Sequence, residues 1–271
     1  MIKFESNQWT ARISEEFTFD NVRKVSQAIA DKLPKDKPLI IGYDARFLSD
    51  QFAIESTKVI LANGIRVFLT EMDTPAPVVA WEVKDKQAAG AIMITGGDQP
   101  AEYSGISFIR GSAPAFELQI SESIPGVPGS AGGVEIERFD PRNRYLSYVE
   151  NAYDFGEIKK AGLKIMVDPM FGSVRGYLDR LLQKLGCRVD EINDYRDVLF
   201  GGAAPVIKEE NMAELKERVI QAKADLGLAY SADGAAFGLI DRKGNYSAPR
   251  FSGDAIIASL EWVLKVARGE L

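Results

Sequence analysis

Pro38-Leu39-Ile40-Ile41-Gly42-Tyr43-Asp44-Ala45-Arg46-Phe47-Leu48-Ser49 is an apolar run that breaks into a polar loop and then into a helix start. Three branched aliphatics in a row lack the alternation of a half-exposed strand, so the run reads as a strand buried on both faces. Ser49 reads as the cap of a helix through Phe52, Val59 and Ile60, which Asn63-Gly64 stops, and Ile65 to Leu69 reads as the next strand. Upstream, Val22, Val25, Ile29 and Leu33 recur at helical spacing behind Thr18, a capping residue type. Downstream, Thr74-Pro75 opens a third helix with Pro at its first position, leading to the strand Ala91-Ile92-Met93-Ile94. Such alternation predicts an α/β sheet covered on both faces by helices.

The pattern recurs further along. Residues 124–133, rich in Pro, Gly and Ser, read as a loop near a domain edge. A helix from Asp140-Pro141, carrying Tyr145, Tyr148 and Val149, is expected to close a first domain at residue 152. A second domain, 153–250, is expected to hold a strand over Leu163 to Val167, helices over Val174 to Leu185 and Glu209 to Ala222, a strand over Leu226 to Tyr230, and a hairpin at Lys243-Gly244. Residues 251–271 read as a C-terminal helix capped by Ser252, with Ile256, Ile257, Leu260, Val263 and Leu264 on one face and Trp262 and Val266 off it.

Composition narrows the chemistry. The 271 residues hold 33 Lys+Arg and 39 Asp+Glu, a formal charge of −6, so nucleic acid is not an expected partner. With no histidine and a single cysteine, Cys187, a Ser-His-Asp triad, a His/Cys zinc site and an intrachain disulfide are excluded. No run approaches the roughly 18 apolar residues of a spanning helix, which makes a membrane partner unexpected and a cytoplasmic location the default.

Ligands in α/β sheets gather at the carboxyl ends of strands, and three loops qualify. Thr95-Gly96-Gly97-Asp98-Gln99-Pro100 has paired glycines whose amides could approach an anion, although a tight turn needs glycines equally. Tyr230-Ser231-Ala232-Asp233-Gly234-Ala235-Ala236 has one carboxylate, too few for a hard cation and typical of an Asx turn. In Gly42-Tyr43-Asp44-Ala45-Arg46, Asp44 and Arg46 read as a structural ion pair.

In this order the loops resemble the α-D-phosphohexomutase family, the phosphoglucomutases and phosphomannomutases. The resemblance also takes in Ile2-Lys3-Phe4, Thr74-Pro75-Ala76-Pro77-Val78-Val79, Asp168-Pro169-Met170-Phe171-Gly172, Ala224-Asp225-Leu226-Gly227-Leu228-Ala229 and Phe237-Gly238-Leu239-Ile240-Asp241. It implies two consecutive α/β/α sandwich domains with mixed, mostly parallel sheets, and a reversible phosphoryl transfer through a phosphoserine and one Mg²⁺. Against the family's Thr-Ala-Ser-His-Asn-Pro loop, however, Gly97 aligns with the serine, and Asp98 places negative charge beside it. The metal loop Asp-Gly-Asp-x-Asp-Arg aligns with Ser231 to Ala236, keeping only Asp233. Glu5-Ser6-Asn7-Gln8-Trp9-Thr10 lacks the family's N-terminal arginine, Ser107 replaces a lysine that is a candidate general base, and Pro205-Val206-Ile207 replaces Pro-Glu-Pro.

The resemblance therefore implies a fold kept while its chemistry is lost: a non-catalytic binding or oligomerising scaffold, with no cofactor expected. Its partners are expected to be a second copy of itself or a catalytic relative, with a phosphosugar held by the Gly96 and Gly97 amides as a further option. The alternative is a residual mutase using Thr95 or Ser104 as phosphate carrier, with Asp98 and Asp233 sharing Mg²⁺. The family has four domains around one cleft, and the resemblance ends where the third begins, so half a sugar site is expected.

Overall fold

The computed structural model describes residues 2–110, 118, 120 and 135–270. The chain folds as two compact units, Met1–Pro141 and Arg142–Leu271. Among the described residues no helix is long and apolar enough to cross a membrane.

In the first unit the elements are β1 (Gln8–Arg12), α1 (Phe19–Ala30), β2 (Leu39–Tyr43), α2 (Ser49–Ala62), β3 (Val67–Thr70), α3 (Ala76–Asp85), β4 (Gly90–Ile94), β5 (Tyr103–Ile109) and β6 (Arg138–Phe139). They form a mixed sheet in the order β1-β5-β4-β2-β3-β6, parallel through β4, β2, β3 and β6 and antiparallel at β4/β5 and β1/β5. Alternation along β2 builds the sandwich. Leu39 and Ile41 join Val22, Ile29, Phe52 and Ile60 under α1 and α2, while Ile40 joins Val79 and Val83 of α3 on the other face.

The helix ends show where local reading holds. Thr18 caps α1, its Oγ1 accepting the Asn21 N–H at 3.3 Å. Ser49 does not cap α2: Leu48 holds the cap position at φ 58, and the Ser49 hydroxyl donates to Asp44 at 2.8 Å. Pro75 is the cap residue of α3 rather than its first helical residue.

The second unit runs α4 (Arg142–Ala152), α5 (Gly156–Ala161), β7 (Lys164–Asp168), α6 (Leu178–Lys184), β8 (Arg188–Glu191), α7 (Ala213–Ala222), β9 (Leu226–Tyr230), β10 (Phe237–Asp241), β11 (Tyr246–Ser247) and α8 (Ala255–Ala267). Its sheet order is β11-β10-β9-β7-β8, parallel from β9 to β8 and antiparallel on the other side. Met166, Leu215, Val219 and Ile240 form the core beneath α7.

Two expected boundaries move. The helix expected to close the first domain at 152 is α4, and it belongs to the second unit. Tyr145, fully buried, donates to Asp254 at 2.7 Å and meets Tyr177 edge-on at 6.2 Å. The expected separate segment 251–271 is likewise part of this unit, since Tyr230 of β9 donates to Ser259 of α8. Its cap is Asp254, which accepts the Ile256 and Ile257 N–H groups, and not Ser252; burial raises the Asp254 carboxyl above the usual range. The expected helix Val174 to Leu185 is helical only over α6. The loop expected at 124–133 lies outside the described residues.

Candidate functional site

The loop after β4 is built around one side chain. Arg46 is fully buried, and its Nε donates to Asp44 Oδ2 at 3.0 Å. Its Nη1 donates to the carbonyls of Pro100 (2.7 Å) and Tyr103 (3.1 Å), and its Nη2 to those of Gly97 (2.7 Å) and Gln99 (2.8 Å). All five guanidinium N–H donors are thus engaged. Asp44, also fully buried, accepts the Arg46 N–H and the Ser49 hydroxyl as well. Gly96 leaves room for the guanidinium: a Cβ there would lie 2.7 Å from Arg46 Cζ. The pair read from sequence as structural is the frame of the candidate loop.

At the tip, Gly97 takes φ +55, and a Cβ there would find only Gln8 Nε2 within 4 Å, at 3.9 Å. Space is available at this position, but no side-chain atom fills it. Thr95 is 2% exposed and its Oγ1 accepts the Gly97 N–H at 3.0 Å. One of the two amides expected to meet an anion is therefore already used inside the loop. Asp98 is exposed.

Strand register brings further residues to this loop. Gln8 lies opposite Ser107 and Thr10 opposite Gly105, so these positions share one face of the β1/β5 pair. Gln8 Nε2 donates to Thr10 Oγ1 at 3.0 Å. Ser107 and Gly97 are thereby neighbours of Gln8, and no basic side chain stands at either position. Ser104 belongs to the opposite face, fully buried, with no hydrogen-bond partner for its hydroxyl among the described residues. Sequence reasoning missed Gln8 as a neighbour of the loop: Gln8 to Arg12 alternate polar and apolar as a strand does, but the pairing of β1 with β5 is long-range.

In the second unit, residues 231–236 form a closed turn. Asp233, 6% exposed, accepts the Ser231 hydroxyl at 3.2 Å and the Ala235 N–H at 3.1 Å through the same Oδ1. Ser231 Oγ accepts the Ala236 N–H at 3.0 Å, and Ala232 O accepts Ser173 N–H at 2.8 Å. This is the Asx-turn use of an aspartate. Among the described residues no group of three or more acidic, thiol or imidazole side chains is placed to hold a metal.

Asp168, at the end of β7, is 2% exposed, and its Oδ1 accepts the Met170 N–H at 2.8 Å and Asn193 Nδ2 at 3.2 Å. Burial pushes its carboxyl up to about 6, against the lowering effect of those two hydrogen bonds. The bonds fasten Met170 and Phe171, both at positive φ, and Phe171 meets the exposed Tyr195 ring edge-on at 5.1 Å.

Residues 1–125 match "Phosphoglucomutase/phosphomannomutase, alpha/beta/alpha domain I", and residues 143–244 match domain II of the same family. The chain belongs to the phosphoglucomutase/phosphomannomutase family. A Methanothermobacter thermautotrophicus protein named "Probable phosphoglucosamine mutase" is 29% identical over 242 residues, covering 88% of this chain and 54% of the relative. A Thermococcus kodakarensis protein named "Phosphoglucomutase/phosphomannomutase" is 27% identical over 246 residues, covering 86% and 53%. The chain spans about half the length of the curated relatives it matches. The crystal structure of a putative phosphomannomutase from Thermus thermophilus superposes with a TM-score of 0.79 at 22% identity, over 90% of this chain and 58% of that one, which shows the shared family fold.

Two outcomes follow from this geometry. Arg46→Met leaves the buried Asp44 charge and four carbonyls without their donor, so equilibrium unfolding should show a loss on the order of 3–5 kcal/mol. A change below about 0.5 kcal/mol, within the range of ordinary surface substitutions, would remove Arg46 as the loop's frame. For Asp168, the native carboxyl titrates at about 6 against 3.8 unfolded, so its contribution is complete below pH 3.8 and is lost as pH rises through 6. Denaturant unfolding from pH 4 to 7 should therefore show a fall, on the order of 3 kcal/mol at most, that Asp168→Asn flattens. Parallel profiles for the two proteins would refute it.

Proposed function

We propose that this chain is a catalytically inert member of the phosphohexomutase family that acts by binding, to a second copy of itself or to a catalytic relative. The observation that carries the reading is Gly97, a carrier position with space around it and no oxygen on it. Mutase chemistry by double displacement needs a side chain that holds the phosphoryl group between two transfers. The substitutes weighed from sequence do not recover it. Thr95 is buried with its oxygen engaged, and the Ser104 hydroxyl is sealed in the core. Ser107 supplies no base.

Mg²⁺ does not fit the residues at 231–236. It demands several oxygen ligands in near-octahedral array, and the single carboxylate has an oxygen already accepting two bonds from its own loop. Phosphoryl transfer depends on positioning and charge neutralisation, and neither loop retains the groups for it.

The surface offered to a partner is the segment after β8, where Tyr195 and Leu199 are each 62% exposed. Trp262 is half-buried, with Lys265 Nζ 4.0 Å from its ring centroid.

Incubation with glucose 1,6-bisphosphate and Mg²⁺, followed by intact-mass measurement, should show the unmodified mass and no interconversion of hexose monophosphates. A stoichiometric phosphate adduct would reinstate the enzyme. Sedimentation velocity on the same material should show a species heavier than one chain, alone or with a catalytic relative added; a monomer in both cases would end the binding half of the proposal.

A further inference from the structure

The other end of the first unit's sheet has a different character. β2 and β4 are parallel and β5 runs against them, so the segments entering β2 and β4 and the segment leaving β5 meet at one end, opposite the loops that follow β2 and β4. Register pairs Ala91 with Ile109, which sets Arg110 beside Gly90. A Cβ on Gly90 would lie 2.7 Å from Ile109 O, so the close approach of the two strands depends on that glycine.

These segments enclose an open cavity of about 770 Å³, lined by Lys37, Lys84, Lys86, Gln87 and Arg110, with Asp36 the one carboxylate among the described residues that line it. Four cationic side chains and one carboxylate line it, with buried Glu82 behind Lys86, so the lining is net basic in a chain of net charge −6. The carbonyl end of α3 accounts for cations at Lys84 and Lys86. It does not account for Lys37 or Arg110, which arrive from two other segments. Lys86 is held in place, its Nζ 3.5 Å from buried Glu82 and 4.7 and 4.8 Å from the Phe68 and Phe139 rings.

We infer that this cavity is a binding site for a compact, multiply charged anion of the phosphate class. The volume lies in the range of small-molecule sites, about 300–1,000 Å³. Salt screens exposed charges beyond about 8 Å, so an anion must enter the cavity to feel these side chains. A guanidinium and ammonium groups from separate segments suit several oxygens spread over two phosphoryl groups better than a monovalent ion. The site is independent of Gly97 and its loop.

Titration calorimetry with inorganic pyrophosphate on the full chain at low salt tests this, with sulfate as the divalent comparator. The expected result is saturable one-to-one binding, weakened by Lys84→Gln and by Arg110→Gln by about tenfold each. Lys243→Gln, the same charge change in the second unit, should leave it unchanged. Both cavity positions are at least partly exposed, so far-UV circular dichroism should report a native fold for each variant. Three results would overturn the site: no saturable binding of pyrophosphate at millimolar concentration, binding untouched by the cavity variants, or equal weakening by Lys243→Gln. Preference for pyrophosphate over sulfate is expected, and equal affinity would refute the phosphate class.

Discussion

A guanidinium with no route to water is the constraint on which the first unit depends. Its burial is tolerated only because Asp44 opposes the Arg46 charge and four carbonyls take the remaining donors. Those carbonyls belong to residues 97 to 103, and the arginine belongs to the loop after β2. The candidate loop is therefore shaped from below, by a residue more than fifty positions away, rather than by the side chain at its tip. A serine at position 97 is not among the supports. This is the physical reason the loop holds its form with a glycine at its tip.

The second unit repeats the principle with carboxylates. Asp168 spends its oxygen on Met170 N–H and Asn193, holding two residues in left-handed conformations; Asp233 spends its own on Ser231 and Ala235. Carboxylates at strand ends thus serve the loops that contain them. Fold and chemistry are separable here because hydrogen bonds to backbone groups fix the loops. Reactive side chains, by contrast, matter only to a substrate. The same separation makes the proposed role in binding compatible with full retention of the sheet architecture.

Locally encoded features were legible in the sequence. Leu39-Ile40-Ile41 and Ala91 to Ile94 were readable as buried strands because branched runs without alternation have few other uses, and Thr18 as a cap because its hydroxyl acts within three residues. The glycine at position 97 and the single carboxylate at Asp233 needed only the residue identities. Long-range pairing decided the rest. Ser49 looked like a cap and instead serves Asp44; Ser252 looked like a cap and Asp254 took that place, since a Tyr145 hydroxyl more than a hundred residues away reaches it. The membership of α4 turned on that same contact.

What the amino-acid order determined by itself is the alternation of strand and helix, the sign and scarcity of its reactive groups, and the absence of histidine, because these follow from composition and from periodicity over a few turns. What only the tertiary structure decided is which partner each buried polar group finds: Arg46 with the carbonyls of the next loop, Ser104 with none among the described residues, Arg110 among lysines from two other segments. Periodicity records which face of an element is apolar. It carries no record of which distant element will lie against that face, and partnering in the interior is set by that pairing.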